Sequence, residues 1–355
     1  MKVIDIQGDA GRSAVFIGER LKALEKYVSA EKALIITDNH VREIYQKDFP
    51  PWEIMEIGTG EEVKTLDTVR FLYDRLVALE ADRTSFIVGI GGGIVCDIAG
   101  FVASTYLRGL RFGFVSSTLL SQVDASVGGK NGVNFRGYKN MVGVFNQPEF
   151  VICDTNLLKT LPTEELQNGF SEIVKHAALG DAEMFSYLED HYEKALELDP
   201  VAIEKLVYDS ISIKSSIVNR DARETGERRK LNFGHTFGHA LERLTGFPHG
   251  RAVSVGMVVA SELSVKKGYL SSEEAGRIER LLQRLGLPTR HSIDRKKVLE
   301  ALRKDKKKEG EDIHFVYLQG LGHAVVERTP FRELEDLEAV GIENRWASDQ
   351  KSFTE

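Results

Sequence analysis

The chain has 355 residues, 42% hydrophobic and 28% charged, with 47 Lys plus Arg against 54 Asp plus Glu and a formal net charge of −7. At roughly 100–200 residues per domain this is two or three domains with enough apolar side chains for a real core, which excludes a disordered chain or a collagen-like fibre. Mild acidity argues against nucleic acid or an anionic membrane as the main partner, but local basic clusters can still meet anionic small molecules. Cys96 and Cys153 each lie in an apolar run and form no CxxC, so buried free thiols are expected rather than a disulfide framework. The start MKVIDIQGDAGR has no basic region followed by an apolar stretch, and cytoplasm is the expected location.

Short apolar runs and helical patterns alternate through the first half. Ala33–Thr37 is an apolar run ending at Asp38-Asn39, and Leu66–Leu79 repeats apolar residues at helical spacing. Phe86–Ile90 runs into a glycine cluster, and Ile94–Tyr106 reads as a helix. The span from Phe86 to Leu107 carries only Asp97 as a charge, but its bunched glycines fit a strand, a tight loop and a helix better than a membrane span. Phe112–Val115, closed by Ser116-Ser117-Thr118, and Phe150–Cys153, closed by Asp154, are further strands. This alternation predicts βαβ units and a mainly parallel, Rossmann-like sheet, with ligands beyond the carboxyl ends of the strands. From about Thr163 the pattern becomes helical: Glu164–Leu179, Ala182–Leu198, Ile203–Asn219, Gly238–Leu244, Ala252–Lys267, Ser272–Leu285 and Arg295–Lys304. A hairpin is expected at Ile313–Leu318 and Ala324–Val326, and a last helix at Glu333–Glu343. The division expected is an α/β domain over 1–160 and a mostly α-helical domain over 161–355.

Three constellations carry chemistry. Gly91-Gly92-Gly93 after a strand lets backbone approach a phosphate, and the next helix offers its first amides, although the GxGxxG spacing is not met. Asp97 caps that helix or faces the crevice. His235 and His239 are four apart, with His249 ten further on and Arg228 and Asn232 nearby. The pattern is not HExxH, because Thr236 stands where the protease base would be. Two histidines and a carboxylate would suit a catalytic divalent metal such as zinc. Glu172, three before Lys175, is one carboxylate candidate; Glu165, Glu242 and Asp181 compete on the residues alone. The third constellation runs from Asp124 through Gly128-Gly129-Lys130 to Asn134, Lys139 and Asn140. It is not a P-loop, yet its Lys and Asn suit an anionic, oxygen-rich ligand.

In this order, GGGIVCDIAGFVASTYLRG, STLLSQVDASVGGKNGVN, KNMVGVFNQP, LKTLPTEEL, the Glu172 helix and LNFGHTFGH resemble the 3-dehydroquinate synthase family of sugar-phosphate cyclases. The resemblance implies an NAD- and divalent-metal-dependent enzyme, with zinc or cobalt. It would convert 3-deoxy-arabino-heptulosonate 7-phosphate to 3-dehydroquinate in the shikimate pathway. The steps implied are transient oxidation at C5, phosphate elimination, re-reduction and intramolecular aldol closure. It places the metal ligands on Glu172, His235 and His249. It places NAD contacts on Asp38, Glu61, Lys64, Gly92, Gly93, Asp97, Ser117, Thr118, Asp124, Lys139, Thr160 and Leu161. It places substrate contacts on Lys130, Asn140, Lys175, Lys214, Arg228, Asn232, His239 and either Lys306 or Lys307. Arg108 matches an arginine that reaches a neighbouring subunit's phosphate, which implies a homodimer. The chain departs from the family at Ser116, where proline is usual, at His40, where asparagine is common, and at Tyr138, where glycine is usual. A metal-dependent polyol dehydrogenase on a similar scaffold is the reading from another class, and the basic residues argue against it.

Overall fold

The computed structural model describes residues 1–8, 10–291, 295–306 and 312–335. In chain order the elements are β1 (Lys2–Gly8), β2 (Gly11–Ile17), β3 (Ala33–Asp38), α1 (Asn39–Tyr45), β4 (Glu53–Ile57), α2 (Leu66–Ala78), β5 (Phe86–Gly91), α3 (Gly93–Thr105), β6 (Arg111–Ser116), β7 (Lys130–Phe135), β8 (Tyr138–Phe145) and β9 (Phe150–Cys153). They are followed by α4 (Thr163–Gly180), α5 (Ala182–Leu196), α6 (Pro200–Arg220), α7 (His235–Thr245), α8 (His249–Lys266), α9 (Ser272–Arg284), α10 (Arg295–Lys306), β10 (Asp312–Leu318), β11 (Ala324–Pro330) and α11 (Phe331–Glu335). Two compact units result, one of residues 1–166 and 198–223, the other of 167–197 and 224–355.

The first unit is built on a seven-stranded sheet of order β1-β2-β9-β6-β5-β3-β4. Only β1 and β2 pair antiparallel; the other neighbours are parallel. β3 and β5 are buried along their whole length, as continuous apolar runs require when helices cover both faces. Alternate residues point to opposite faces. Val88 and Ile90 join Ile35, Val115, Ile152, Leu21 and Leu24 in one core, while the position of Gly89 faces Ala99 of α3 on the other side. β3 lies between β4 and β5, so the chain reverses its direction of travel across the sheet at β3/β5. Asp38 and Gly91–Gly93 close those two strands, at the switch point where such sheets bind ligands.

The Lys130–Asn140 segment is a hairpin rather than an open loop. β7 and β8 pair antiparallel around Arg136-Gly137, both at positive φ (49° and 78°), which suits a tight two-residue turn. Tyr138 opens β8 opposite Phe135 and is exposed, so this departure from the family leaves the turn to its own two residues.

One helix changes sides. The sequence reading counts 198–223 with the helical half, but α6 belongs to the first unit. Its Asn219 Oδ1 accepts from the Gln7 amide of β1 at 3.0 Å, and its Lys214 meets Asp124 at 2.6 Å. Amphipathic periodicity marks a face to be buried but does not say against what.

The second unit is helical, with β10 and β11 forming one antiparallel hairpin. Local signals set its boundaries. Asp181 caps α5 through the Glu183 and Met184 amides, Ser271 and Glu274 form a capping box on α9, and Gly246 ends α7 in the left-handed conformation. α8 is buried nearly all round and forms the centre. Lys306 is the last residue of α10; Lys307 and the greater part of the expected last helix lie outside the described residues. Among the described residues no helix is long and apolar enough to cross a membrane.

Phe86 is wholly buried and stacks on Phe150 with ring centroids 5.8 Å apart. Phe86→Ala is expected to cost about 3–5 kcal/mol, read as a lower urea midpoint; an unchanged midpoint would show that this stack is not part of the cooperative core.

Candidate active site

In the first unit several of the expected contact residues form one chain of hydrogen bonds and ion pairs. The β5–α3 turn places Gly92 and Gly93 against the segment that follows β6: a Cβ on Gly93 would lie 2.9 Å from that of Ala125, and one on Gly92 would lie 3.0 Å from Cγ2 of Thr118. The Ser117 amide donates to the Gly91 carbonyl at 2.9 Å, and Gly92 and Gly93 themselves add no side chain at the first amides of α3. Four residues on, Asp97 accepts from Lys64 Nζ at 2.5 Å, and the same ammonium donates to Asn140 Oδ1 at 2.6 Å. The Asn140 amide donates to Asn134 Oδ1 (2.9 Å), and Asn134 Nδ2 donates to Glu61 (2.7 Å), which lies 3.9 Å from Lys139. Burial pushes the Asp97 carboxyl above its ordinary range, against the pull of Lys64. Asp97 thus faces Lys64 and is not a helix cap.

Other predicted residues of this unit have contacts of their own, and the Lys214 charge also acts on Asp97. Lys214 Nζ donates to both the carbonyl and Oδ1 of Asp124, each at 2.6 Å. Asp38 caps α1 through the Val41 amide (2.8 Å), and burial raises its carboxyl. Thr160, with Leu161 following, bonds the Tyr45 hydroxyl at 2.6 Å. Lys130 is exposed at the start of β7. Arg108, exposed at positive φ, follows the far end of the 13-residue α3. At 1.5 Å per residue the helix itself carries the chain roughly 18 Å from Gly93 before that point.

In the second unit the first residues of two helices meet the middle of a third. α7 and α8 cross at glycines: a Cβ on Gly256 would fall 2.0 Å from the Gly234 carbonyl oxygen. α8 meets α4 in the same way, since a Cβ on Gly250 would fall 2.4 Å from the Asn168 carbonyl oxygen. His235 and His249 are the first residues of α7 and α8, and Glu172 lies within α4. Backbone contact at these glycines leaves one ligand atom from each of the three within 4.8 Å of the others. Glu172 Oε1 is 3.7 Å from Nε2 of His235 and 3.4 Å from Nε2 of His249.

The two rings are held in different states. His235 Nδ1 lies 3.2 Å from the Phe233 carbonyl, which only accepts, so the proton is on Nδ1 and the lone pair on Nε2. Burial first, then the Lys175 charge, holds this imidazole well below its usual pKa, so it is neutral. For His249, burial acts to lower the pKa, but Glu172 and Glu242 outweigh it and hold the ring at about 9 without metal. Glu172 is fully buried and touches the nearly buried Lys175. This donor set, one carboxylate and two imidazole Nε2 atoms at one point, fits a divalent cation of the zinc class.

The remaining predicted residues of this unit are Arg228, Asn232 and His239. Arg228 is buried, Asn232 donates to Glu224 at 2.6 Å, and the exposed His239 ring stands 5.1 Å from that of His235. Glu224 was not singled out by sequence reasoning, and no spacing rule marks it. The partnership of Glu242 with His249 was also missed. Its signal is the row His235, His239, Glu242 at i, i+4 and i+7 of one helix.

Two family models match in tandem, 3-dehydroquinate synthase N-terminal over residues 54–168 and 3-dehydroquinate synthase C-terminal over 169–308. A 3-dehydroquinate synthase of Halorhodospira halophila is 40% identical over 323 residues, 88% of this chain and 91% of that one. Among solved structures, a 2-epi-5-epi-valiolone synthase from Streptomyces hygroscopicus, with NAD+ and Zn2+ bound, superposes with a TM-score of 0.86 at 29% identity, covering 97% and 99% of the two chains. A 2-deoxy-scyllo-inosose synthase complexed with carbaglucose-6-phosphate, NAD+ and Co2+ gives 0.84 at 26% identity, covering 95% and 99%. The chain belongs to the 3-dehydroquinate synthase family.

Gly256→Ala is expected to force α7 and α8 apart, at a cost of about 1–3 kcal/mol, and to lower the metal content of the purified protein. Urea unfolding and metal analysis test this together, and parent-like values in both would contradict the crossing argument.

Proposed function

We propose that this chain converts 3-deoxy-arabino-heptulosonate 7-phosphate to 3-dehydroquinate and phosphate, with NAD and a divalent metal, zinc or cobalt. The observation that carries the reading is the meeting of Glu172, His235 and His249 within 4.8 Å, in a chain whose curated relatives are named for this activity. The bound groups supply a reversible hydride acceptor and a Lewis acid.

The chain's own residues bind and orient. The α/β domain, 1–160 in the sequence division, holds NAD through Asp38, Glu61, Lys64, Gly92, Gly93, Asp97, Ser117, Thr118, Asp124, Lys139, Thr160 and Leu161. The helical domain holds the metal on Glu172, His235 and His249. Lys130, Asn140, Asn232 and His239 take the phosphate end of the substrate. Lys214, Arg228 and Lys306 take the carboxylate end, where a guanidinium can make two parallel hydrogen bonds. Lys175 keeps a positive charge against Glu172. Arg108 acts across a homodimer, consistent with its place beyond the far end of α3. The working location is the cytoplasm, in aromatic amino-acid biosynthesis. A polyol dehydrogenase acting on a neutral substrate would have no use for the buried cations Lys175, Lys214 and Arg228.

The test is incubation with NAD+, metal and the heptulosonate phosphate, with identification of the carbocycle formed. Phosphate release without net NADH, abolished by chelator, is expected; NADH rising in step with turnover would contradict the proposal. His249→Ala should remove metal and activity while the sheet remains folded by circular dichroism. Lys214→Ala should weaken substrate binding more than NAD binding in calorimetric titration, the smaller NAD loss arising through Asp124, and equal loss of both would refute the division of roles.

A further inference from the structure

We propose that Glu242 is the positioning residue of the metal centre. Its carboxylate holds His249 by Nδ1, so that Nε2 faces the cation, and its charge offsets that of the dication. The inference rests on the metal-ligand reading above.

The His249 ring stands between two carboxylates, one at each nitrogen. Nε2 is 3.4 Å from Glu172 Oε1, and Nδ1 is 3.6 Å from Glu242 Oε2. The Glu242 side chain is only 9% exposed, a costly position for an acid without a charge to meet. A neutral imidazole has one N–H and one lone pair. With a cation at Nε2 the ring keeps one proton, on Nδ1, the nitrogen that the Glu242 carboxylate faces. Phe233 does the same for His235 with a neutral carbonyl, so the two ligands are oriented by acceptors of different charge.

Charge explains why one acceptor is an acid. His235 and His249 both open helices, whose first turns carry partial positive charge, and the Lys175 ammonium touches Glu172. A dication added there meets a positive surplus that Glu172 alone does not balance. Glu242 brings the second negative charge without occupying the position facing Glu172.

Glu242, His239 and His249 also bring ligand atoms within 4.8 Å of one another. The test must therefore separate positioning from direct ligation. Metal affinity of the full chain is measured by competition with a chromophoric chelator, and stoichiometry by atomic emission. The series is parent, Glu242→Ala, Glu242→Gln, Glu242→Asp and His249→Ala. One metal per chain is expected throughout the Glu242 series, with affinity about 10–100-fold weaker in the alanine variant. The glutamine variant, whose amide oxygen still accepts from Nδ1, should lose less, and the aspartate variant should recover part of the loss. Saturating metal should restore turnover to the alanine variant. Parent-like affinity in Glu242→Ala overturns the proposal. So does a parent stoichiometry of two that falls to one, because Glu242 would then be a ligand. If the alanine variant does not fold, parent-like affinity in Glu242→Gln overturns it equally. Metal retained in His249→Ala sinks the ligand reading itself, a result distinct from any in the Glu242 series.

Discussion

Backbone-to-backbone packing at Gly250 and Gly256 is the constraint on which the metal centre depends. Helices with ordinary side chains at the contact keep their axes about 8–10 Å apart. Here any Cβ would enter a neighbour's carbonyl oxygen, so α4, α7 and α8 approach as closely as their main chains allow. That approach converts three side chains, distant in sequence, into one set of ligand atoms. Gly234 serves the same crossing: at φ 78° it turns the chain into α7 and frees the Phe233 carbonyl to meet His235. The helix contact and the tautomer of one ligand are thus set by the same few residues.

In the first unit the corresponding constraint is topological. Two parallel strands whose chain leaves in opposite directions open a crevice at their carboxyl ends. β3 delivers Asp38 there and β5 delivers the glycine turn. The dependence on Gly93 is steric, since β6 and the segment after it come close enough that a side chain would collide with Ala125. A phosphate approaching the first amides of α3 would meet backbone, which is what a small anion at a helix N-terminus requires.

Much of this was legible in the residues. Continuous apolar runs at 33–37 and 86–90 announce strands buried on both faces, and β3 and β5 are so buried. Pro162 and Pro248 mark helix starts, and α4 and α8 begin directly after them. What periodicity could not reveal is partnership. The α6 pattern gave its apolar face but not its attachment to β1. β8 is exposed along much of its length, so its sequence lacks the apolar alternation that identifies a half-buried strand. Among the carboxylates, residue identities alone left Glu165, Glu172, Glu242 and Asp181 level. The Glu172 assignment came from the family resemblance, and the bundle geometry sets Glu172 and Glu242 on opposite nitrogens of one histidine.

The buried lysines show how an acidic chain can be suited to an anionic substrate. Lys64, Lys175 and Lys214 are each about nine-tenths or more buried, and each rests against a carboxylate: Asp97, Glu172 and Asp124. Pairs of this kind contribute little to stability, because removing two charges from water costs about as much as their attraction returns. Apolar side chains of similar size would hold these positions at least as well, so stability alone does not account for them. Their effect is on the ammonium groups, which are already stripped of water and fixed in place. An anion that reaches them bears neither the desolvation of a hydrated lysine nor the ordering of a mobile one, and both are costs that limit affinity at exposed sites. A net charge of −7 is therefore compatible with fixed cations, because these positive charges are stored indoors beside their counter-ions.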